Sequence, residues 1–165
     1  LQVANMLALI VNDGVVYKPH LLKELRDPAT AAIIKRAEPE VIIKSRISSE
    51  TLAQLRMNLR SVVTEGTVKF PINTKVVEIA GKTGTAEVGL ADHWHSWFVS
   101  YGPFDAPASE TIVVVVMVEA SNPWEWWAPY ASDIIYQAVF AGQDYNQAVD
   151  TLGLRYLVPR RERAE

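Results

Sequence analysis

The stretch Ile79-Ala80-Gly81-Lys82-Thr83-Gly84-Thr85-Ala86-Glu87 sets one lysine and two threonines beside a glycine within a strand-like segment. Successive side chains on a strand point to opposite faces, so Lys82 and Gly84 share one side and Thr83 and Thr85 the other. A glycine there lets a ligand approach the backbone closely, and the free main-chain groups of an edge strand can pair with an extended peptide. The lysine offers a compact charge to an anionic group or a neighbouring hydroxyl, and the threonines offer hydroxyl donors to a carboxylate. The competing reading is an exposed lysine that protects a sheet edge from aggregation. Gly81-Lys82-Thr83 is not a phosphate loop, because that motif needs a glycine where this chain has Val76, and a helix directly after.

Working outward, Val76 to Ile79 leads into this strand, and two more strand patterns follow, Ser96 to Tyr101 and Thr111 to Glu119. The turn-rich Gly102-Pro103-Phe104-Asp105-Ala106-Pro107 separates them, and three consecutive strands with short links predict an antiparallel meander. Upstream, Ser48 or Ser49 can cap a helix with Glu50 in its first turn, and Leu52, Leu55, Leu59, Val62 and Val63 form its apolar stripe before Gly66. At the start, Val3, Met6, Leu7 and Ile10 recur at helical spacing until Asn12-Asp13-Gly14, with Gly14 suited to the left-handed conformation. Val15 to Tyr17, Leu21 to Leu25 and Val41 to Ser45 read as short strands, with an exposed charged loop over Arg26 to Glu40. Downstream, Ser121 to Pro129 reads as a loop and Pro129 as a helix start; Ile134, Ile135, Ala138 and Val139 form that helix's apolar face, and Gly142 ends it. Asp144 to Leu152 adds a short amphipathic helix.

Composition sets bounds on function. The chain has 165 residues, 49% apolar and 21% charged, enough for one packed domain. A formal charge of -3 without a basic face argues against nucleic acid as a partner. Zero cysteines exclude disulfides, thiolate metal sites and a cysteine nucleophile. The apolar run Ile112 to Val118 is far shorter than the ~20 residues that span a bilayer. The chain opens on Leu1 and runs directly into a helical pattern, so it reads as a piece of a longer protein. Asp92, His93 and His95 lack a third well-spaced ligand, so no metal is predicted, and no cofactor either. His20, beside Pro19, reads as a surface residue. Trp124, Trp126 and Trp127 suit packing over the core better than an aromatic platform for a ligand.

Lys82-Thr83-Gly84-Thr85-Ala86-Glu87 followed by His95-Ser96-Trp97-Phe98-Val99-Ser100-Tyr101 resembles the third and fourth strands of the transpeptidase domain of class B penicillin-binding proteins. The resemblance extends to Leu1–Met6 with Asn12–His20, to Val63-Thr64-Glu65-Gly66-Thr67 and to Ala128-Pro129, and so runs from Leu1 to about Gly142. Within the class the chain is most similar to the elongation-type enzymes of the lateral cell wall. The resemblance implies an α+β fold, an antiparallel sheet with three of its strands present here and helices packed on it. It places residues 1–165 in the C-terminal portion of the domain, with a core of about 1–142 and a C-terminal extension over 143–165. Two further strands complete the sheet in the family.

The activity implied is acyl transfer: a serine attacks the D-Ala-D-Ala amide of a peptidoglycan stem peptide, and the acyl-enzyme passes to an amine of a neighbouring strand. β-Lactams acylate the same serine. By the same resemblance Lys82 orients the catalytic hydroxyl network and the substrate carboxylate, Thr83 and Thr85 bind that carboxylate, Gly84 keeps the wall open, and the Thr85 backbone N–H is an oxyanion donor. The chain departs from the family pattern at one decisive point: no serine has lysine three residues on or asparagine two residues on. The nucleophile is therefore expected in the missing N-terminal part of the same protein, anchored at the periplasmic face of the inner membrane and working with other cell-wall synthesis proteins. Two alternatives share some of these features: a β-lactam-sensing receptor or serine β-lactamase-like domain, and a non-catalytic wall-binding module built on the tryptophans. His95-Ser96-Trp97-Phe98 and Thr64-Glu65-Gly66-Thr67 favour the cell-wall enzyme over the first.

Overall fold

The computed structural model describes residues 1–121 and 126–157. In chain order the elements are α1 (Gln2–Val11), β1 (Val15–Tyr17), β2 (Glu24–Arg26), β3 (Ile33–Arg36), β4 (Val41–Lys44), α2 (Ser49–Thr64), β5 (Ala80–Glu87), β6 (Trp94–Gly102), β7 (Ile112–Ser121), α3 (Trp127–Ala141) and α4 (Tyr145–Thr151). The fold is α+β. β5, β6 and β7 form the expected antiparallel meander, and β5 pairs with β6 without a break from Ala80↔Tyr101 to Glu87↔Trp94. Val76 to Ile79 stays irregular, so the strand starts only at Ala80.

Strand alternation splits the core into two layers. On one face of the sheet Ala80 and Tyr101 pack with Leu7, against Ile10, Val11, Leu59, Val99 and Val113, so α1 and α2 cover this side. On the other face Ile79, Phe98 and Val114 pack with Val63, Val68, Ile72, Ala128 and Tyr136, so α3 and the segment after α2 cover that side. A smaller cluster of Val149, Leu152 and Leu154 seats α4 and its continuation on Tyr130 and Ile134 of α3.

The local signals explain most element ends. Ser48 Oγ accepts the Thr51 N–H at 3.2 Å, and Glu50 sits in the first turn of α2, where the helix dipole favours an anion. The stripe of α2 buries Leu52 and Val63 but leaves Leu55 exposed. Gly14 adopts φ +89° at the end of α1, directly after Asp13 at φ 52°. Asp144 and Gln147 close a reciprocal capping box at the start of α4.

Two expectations are corrected. The segment Arg26 to Glu40 is not all loop: β3 lies inside it and pairs with β2, Leu25 opposite Lys35. Neither strand buries a face, so the period-2 alternation that announces a half-buried strand is absent. Leu21 and Leu22 remain outside β2, both exposed. The buried face of α3 is also not Ile134, Ile135, Ala138 and Val139. It carries Ala128, Pro129, Ser132, Asp133, Tyr136 and Gln137, while Ile135 and Val139 are exposed. The helix is turned this way because backbone and hydroxyl groups under it need polar partners, which an apolar face would leave unpaired.

Candidate active-site wall

β5 hydrogen-bonds only to β6, and among the described residues no strand lies along its other edge. The motif Lys82-Thr83-Gly84-Thr85 therefore stands on an edge strand, with its unpaired N–H and C=O groups outward. Alternation places it as expected. Lys82 and Gly84 face the α1 side, where they border an open apolar groove of about 420 Å³ with Val3, Met6, Ile10, Leu59, Trp97 and Val99. Lys82 is exposed, and its Nζ donates to the Thr83 carbonyl at 2.9 Å. On the α3 side Thr83 and Thr85 border a small depression of about 20 Å³ together with Thr67 and Trp126.

The two glycines differ in what they do. A Cβ on Gly81 would lie 2.7 Å from the Val99 carbonyl oxygen and 2.8 Å from Phe98 Cζ, so this glycine is required for β5 to lie against β6. A Cβ on Gly84 would meet only the Trp97 side chain, nearest at 3.3 Å. Gly84 is thus free of a packing duty and leaves the strand surface open. The sequence reading singled out Gly84 and passed over Gly81, because close backbone approach is visible only in the pairing register.

Thr67 and Trp126 join the wall from outside the motif. Thr67 arrives from the segment after α2, and Trp126 packs against the α3-side core while bordering Thr83 and Thr85. Trp127 borders a different cleft, with Tyr130, Tyr145 and Leu157, so Trp126 and Trp127 do not form one platform. Trp124 lies outside the described residues. His93 Nδ1 bonds the Ala91 carbonyl at 2.8 Å, and His20 Nδ1 the Leu22 carbonyl at 2.8 Å. Among the described residues no group of three or more His, Asp or Glu side chains is placed to hold a metal ion.

Among the described residues no serine borders the groove at Lys82. Ser96 and Ser100 serve the sheet and α3 instead. Ser96, opposite Thr85, accepts the Ala128 N–H at 3.2 Å. Ser100, opposite Gly81, accepts from the Tyr136 hydroxyl at 3.1 Å and donates to the Val114 carbonyl at 3.4 Å. A larger cleft, about 580 Å³, lies elsewhere, between the end of α2 and residues 69–79, and is bordered by Arg60, Lys69, Lys75 and Glu78. Size and chemistry disagree here; the free strand edge with its cluster of donors makes β5 the candidate site.

Residues 1–141 match the penicillin binding protein transpeptidase domain. The chain is 36% identical over 118 residues to stage V sporulation protein D of Bacillus subtilis, a match covering 68% of this chain and 17% of that protein. It is 28% identical over 153 residues to peptidoglycan D,D-transpeptidase MrdA of Haemophilus influenzae, covering 82% of this chain and 23% of that one. Among solved structures, penicillin-binding protein 2B of Streptococcus pneumoniae superposes with a TM-score of 0.71 at 29% identity, over 82% of this chain and 24% of that chain. The D,D-transpeptidase domain of a peptidoglycan glycosyltransferase from Eggerthella lenta gives 0.67 at 26% identity, over 92% of this chain and 32% of that one. The chain thus spans about a third or less of the length of the relatives it matches. The chain belongs to the penicillin-binding-protein transpeptidase domain family.

Proposed function

We propose that this chain is part of a serine-type peptidoglycan D,D-transpeptidase of the elongation type and supplies its Lys82-Thr83-Gly84-Thr85 wall. The observation that carries the reading is β5 itself: an edge strand whose motif lysine is exposed and whose outer edge faces no strand among the described residues. An extended stem peptide ending in D-Ala-D-Ala lies along that edge. The hydroxyls of Thr83 and Thr85 donate to its terminal carboxylate, and Lys82 adds the positive charge. The Thr85 N–H donates to the carbonyl oxygen as it becomes an oxyanion, a contact worth roughly 2.7 to 4 kcal/mol in such sites.

The attacking hydroxyl comes from a serine outside these residues. Its oxygen bonds to the amide carbon and gives up its proton, the C–N bond breaks and the terminal D-Ala leaves with a proton on its nitrogen, and the acyl group of the resulting ester then passes to an amine of a second stem peptide, freeing the serine hydroxyl. A β-lactam acylates the same serine by opening its ring amide. The open apolar groove beside Lys82 is where a segment bearing that serine reaches the lysine. Residues 1–165 form the C-terminal portion of the domain, with the extension over 143–165. Among the described residues no helix is long and apolar enough to cross a membrane. Anchoring at the periplasmic face of the inner membrane is accordingly assigned to another segment of the protein, as is docking with other cell-wall synthesis proteins.

Incubation with a fluorescent penicillin followed by intact-mass measurement tests the reading. The chain alone stays unmodified, and a longer protein including the serine gains one acyl group per molecule. A stoichiometric adduct on the chain alone would overturn the placement of the serine; no adduct on the longer protein would overturn the transpeptidase reading.

A further inference from the structure

We propose that Asp133 is a positioning residue for the Lys82–Thr85 wall, holding from α3 the segment 66–79 that flanks the wall and leads into it. Only the catalytic consequence of this proposal rests on the transpeptidase reading; the positioning itself does not.

Asp133 is wholly buried. Its carboxylate accepts the Asn73 N–H at 2.8 Å on Oδ2, and the Thr74 N–H at 3.2 Å on each oxygen. One turn further along α3, Gln137 Nε2 donates to Thr74 Oγ1 at 2.9 Å. Two side chains of one helix therefore grip a single point of a segment about 60 residues away in sequence. No Lys or Arg among the described residues pairs with the carboxylate. The charged and titratable groups that face it are Lys75, from the gripped segment, and Tyr136, from its own helix.

The gripped segment touches the wall twice. Thr67 borders Thr83 and Thr85, and Ile79 leads directly into Ala80. The helix that does the gripping is itself fixed to the strand that backs the wall. Its Ala128 N–H bonds Ser96, the partner of Thr85, and its Tyr136 hydroxyl bonds Ser100, the partner of Gly81. Asp133 thus ties residues 73 and 74 of the flanking segment to the same frame that holds β6.

The choice of residue supports a geometric purpose. Both oxygens receive N–H donors, so an asparagine would turn its own NH₂ against one of them. Burial pushes the carboxyl up to about 6, so keeping it charged at neutral pH works against stability. A buried charge retained against stability, with loop amides as its hydrogen-bond partners, is the pattern of a group kept for function.

Amide NMR of the chain between pH 4.5 and 7.5 tests the proposal, in the wild type and in Asp133→Asn. The amides of Asn73 and Thr74 shift with a midpoint near 6, and those of Thr67, Thr83 and Thr85 follow the same curve; in Asp133→Asn that component disappears at all five. If Asn73 and Thr74 respond while Thr67, Thr83 and Thr85 stay silent, the carboxylate is a local tether and the proposal is overturned. The wild-type titration decides this even where the variant fails to fold. In the longer protein, the wild-type to Asp133→Asn ratio of penicillin acylation rates rises from about 1 at pH 5 to about 10 at pH 7. A flat ratio overturns the catalytic consequence. Absence of acylation in the wild type overturns the transpeptidase reading and leaves the amide result standing.

Discussion

Gly81 lies so close over Phe98 that a Cβ atom on it would stand 2.8 Å from the ring's Cζ, with the Val99 carbonyl oxygen at 2.7 Å on the same side. Backbone cannot give way as the end of a flexible side chain can, so Gly81→Ala must separate β5 from β6 or displace a core ring. Overpacking of this kind costs about 1 to 3 kcal/mol, and the upper half of that range is expected here. Gly84→Ala meets only Trp97, whose Cβ would stand at 3.3 Å, and should cost under about 1 kcal/mol, because a shift of a few tenths of an ångström relieves it. Urea denaturation of both variants checks the contrast; equal losses would mean that the strand does not sit as described.

The buried carboxylate of Asp133 makes stability depend on pH with a definite sign. Its carboxyl rises from the ordinary 3.8 to about 6, chiefly through burial. A raised value means the folded state holds the proton more tightly than the unfolded one. The stabilising contribution is therefore complete below about 4 and is lost as pH rises through 6, on the order of 3 kcal/mol in all. Melting temperatures between pH 4.5 and 7.5 should show this fall, and the Asp133→Asn variant should lack it. Stability rising over the same window in the wild type, with the difference from the variant also rising, would contradict the burial.

Arg60 holds the approach to β5 from the side of α2. Its Nη1 donates to the Ile79 carbonyl at 2.7 Å, Nη2 reaches Glu78 at 3.2 Å, and its guanidinium lies 5.7 Å from the Phe104 ring centre. Glu78 is largely exposed, so that ion pair contributes little, whereas a hydrogen bond from a charged donor to a carbonyl is worth about 1.5 to 3 kcal/mol. Arg60→Ala should cost about 2 kcal/mol, and Glu78→Gln under about 0.5 kcal/mol. Arg60→Lys should recover only part of the loss, because a point charge cannot serve carbonyl and ring together. Thermal unfolding of the three variants measures the order.

Legibility in the sequence followed the physical origin of each feature. The meander was readable because β-branched runs and turn residues alternate from Ala80 to Ser121, and α2 because an N-cap serine precedes a stripe at helical spacing. The Lys82–Thr85 stretch was readable as part of a strand. The buried face of α3 was not: Ile134, Ile135, Ala138 and Val139 outscore Ser132, Asp133 and Gln137 on hydrophobicity, yet Asp133 and Gln137 lie beneath the helix, where the Asn73 and Thr74 N–H groups and the Thr74 hydroxyl are their partners. β3 was hidden for the opposite reason, since a strand exposed on both faces leaves no alternation to read. Thr67 and Trp126 come to the wall through tertiary packing, which spacing along the chain does not encode.

Lys82 separates function from stability most cleanly. The side chain is exposed, and its hydrogen bond goes to the carbonyl of the very next residue, so no distant part of the fold depends on it. Lys82→Ala should therefore change stability by no more than about 0.5 kcal/mol, the ordinary range for a surface substitution. If the residue orients the serine and the substrate carboxylate, the same change in the longer protein should slow acylation by a fluorescent penicillin by roughly 100-fold or more, as expected when a donor aimed at developing charge is removed. Lys82→Arg restores the charge but not its compact shape, and should recover only a fraction of the rate. A protecting charge on a sheet edge predicts the reverse: acylation indifferent to Lys82→Ala, full tolerance of arginine, and aggregation of the alanine variant on warming.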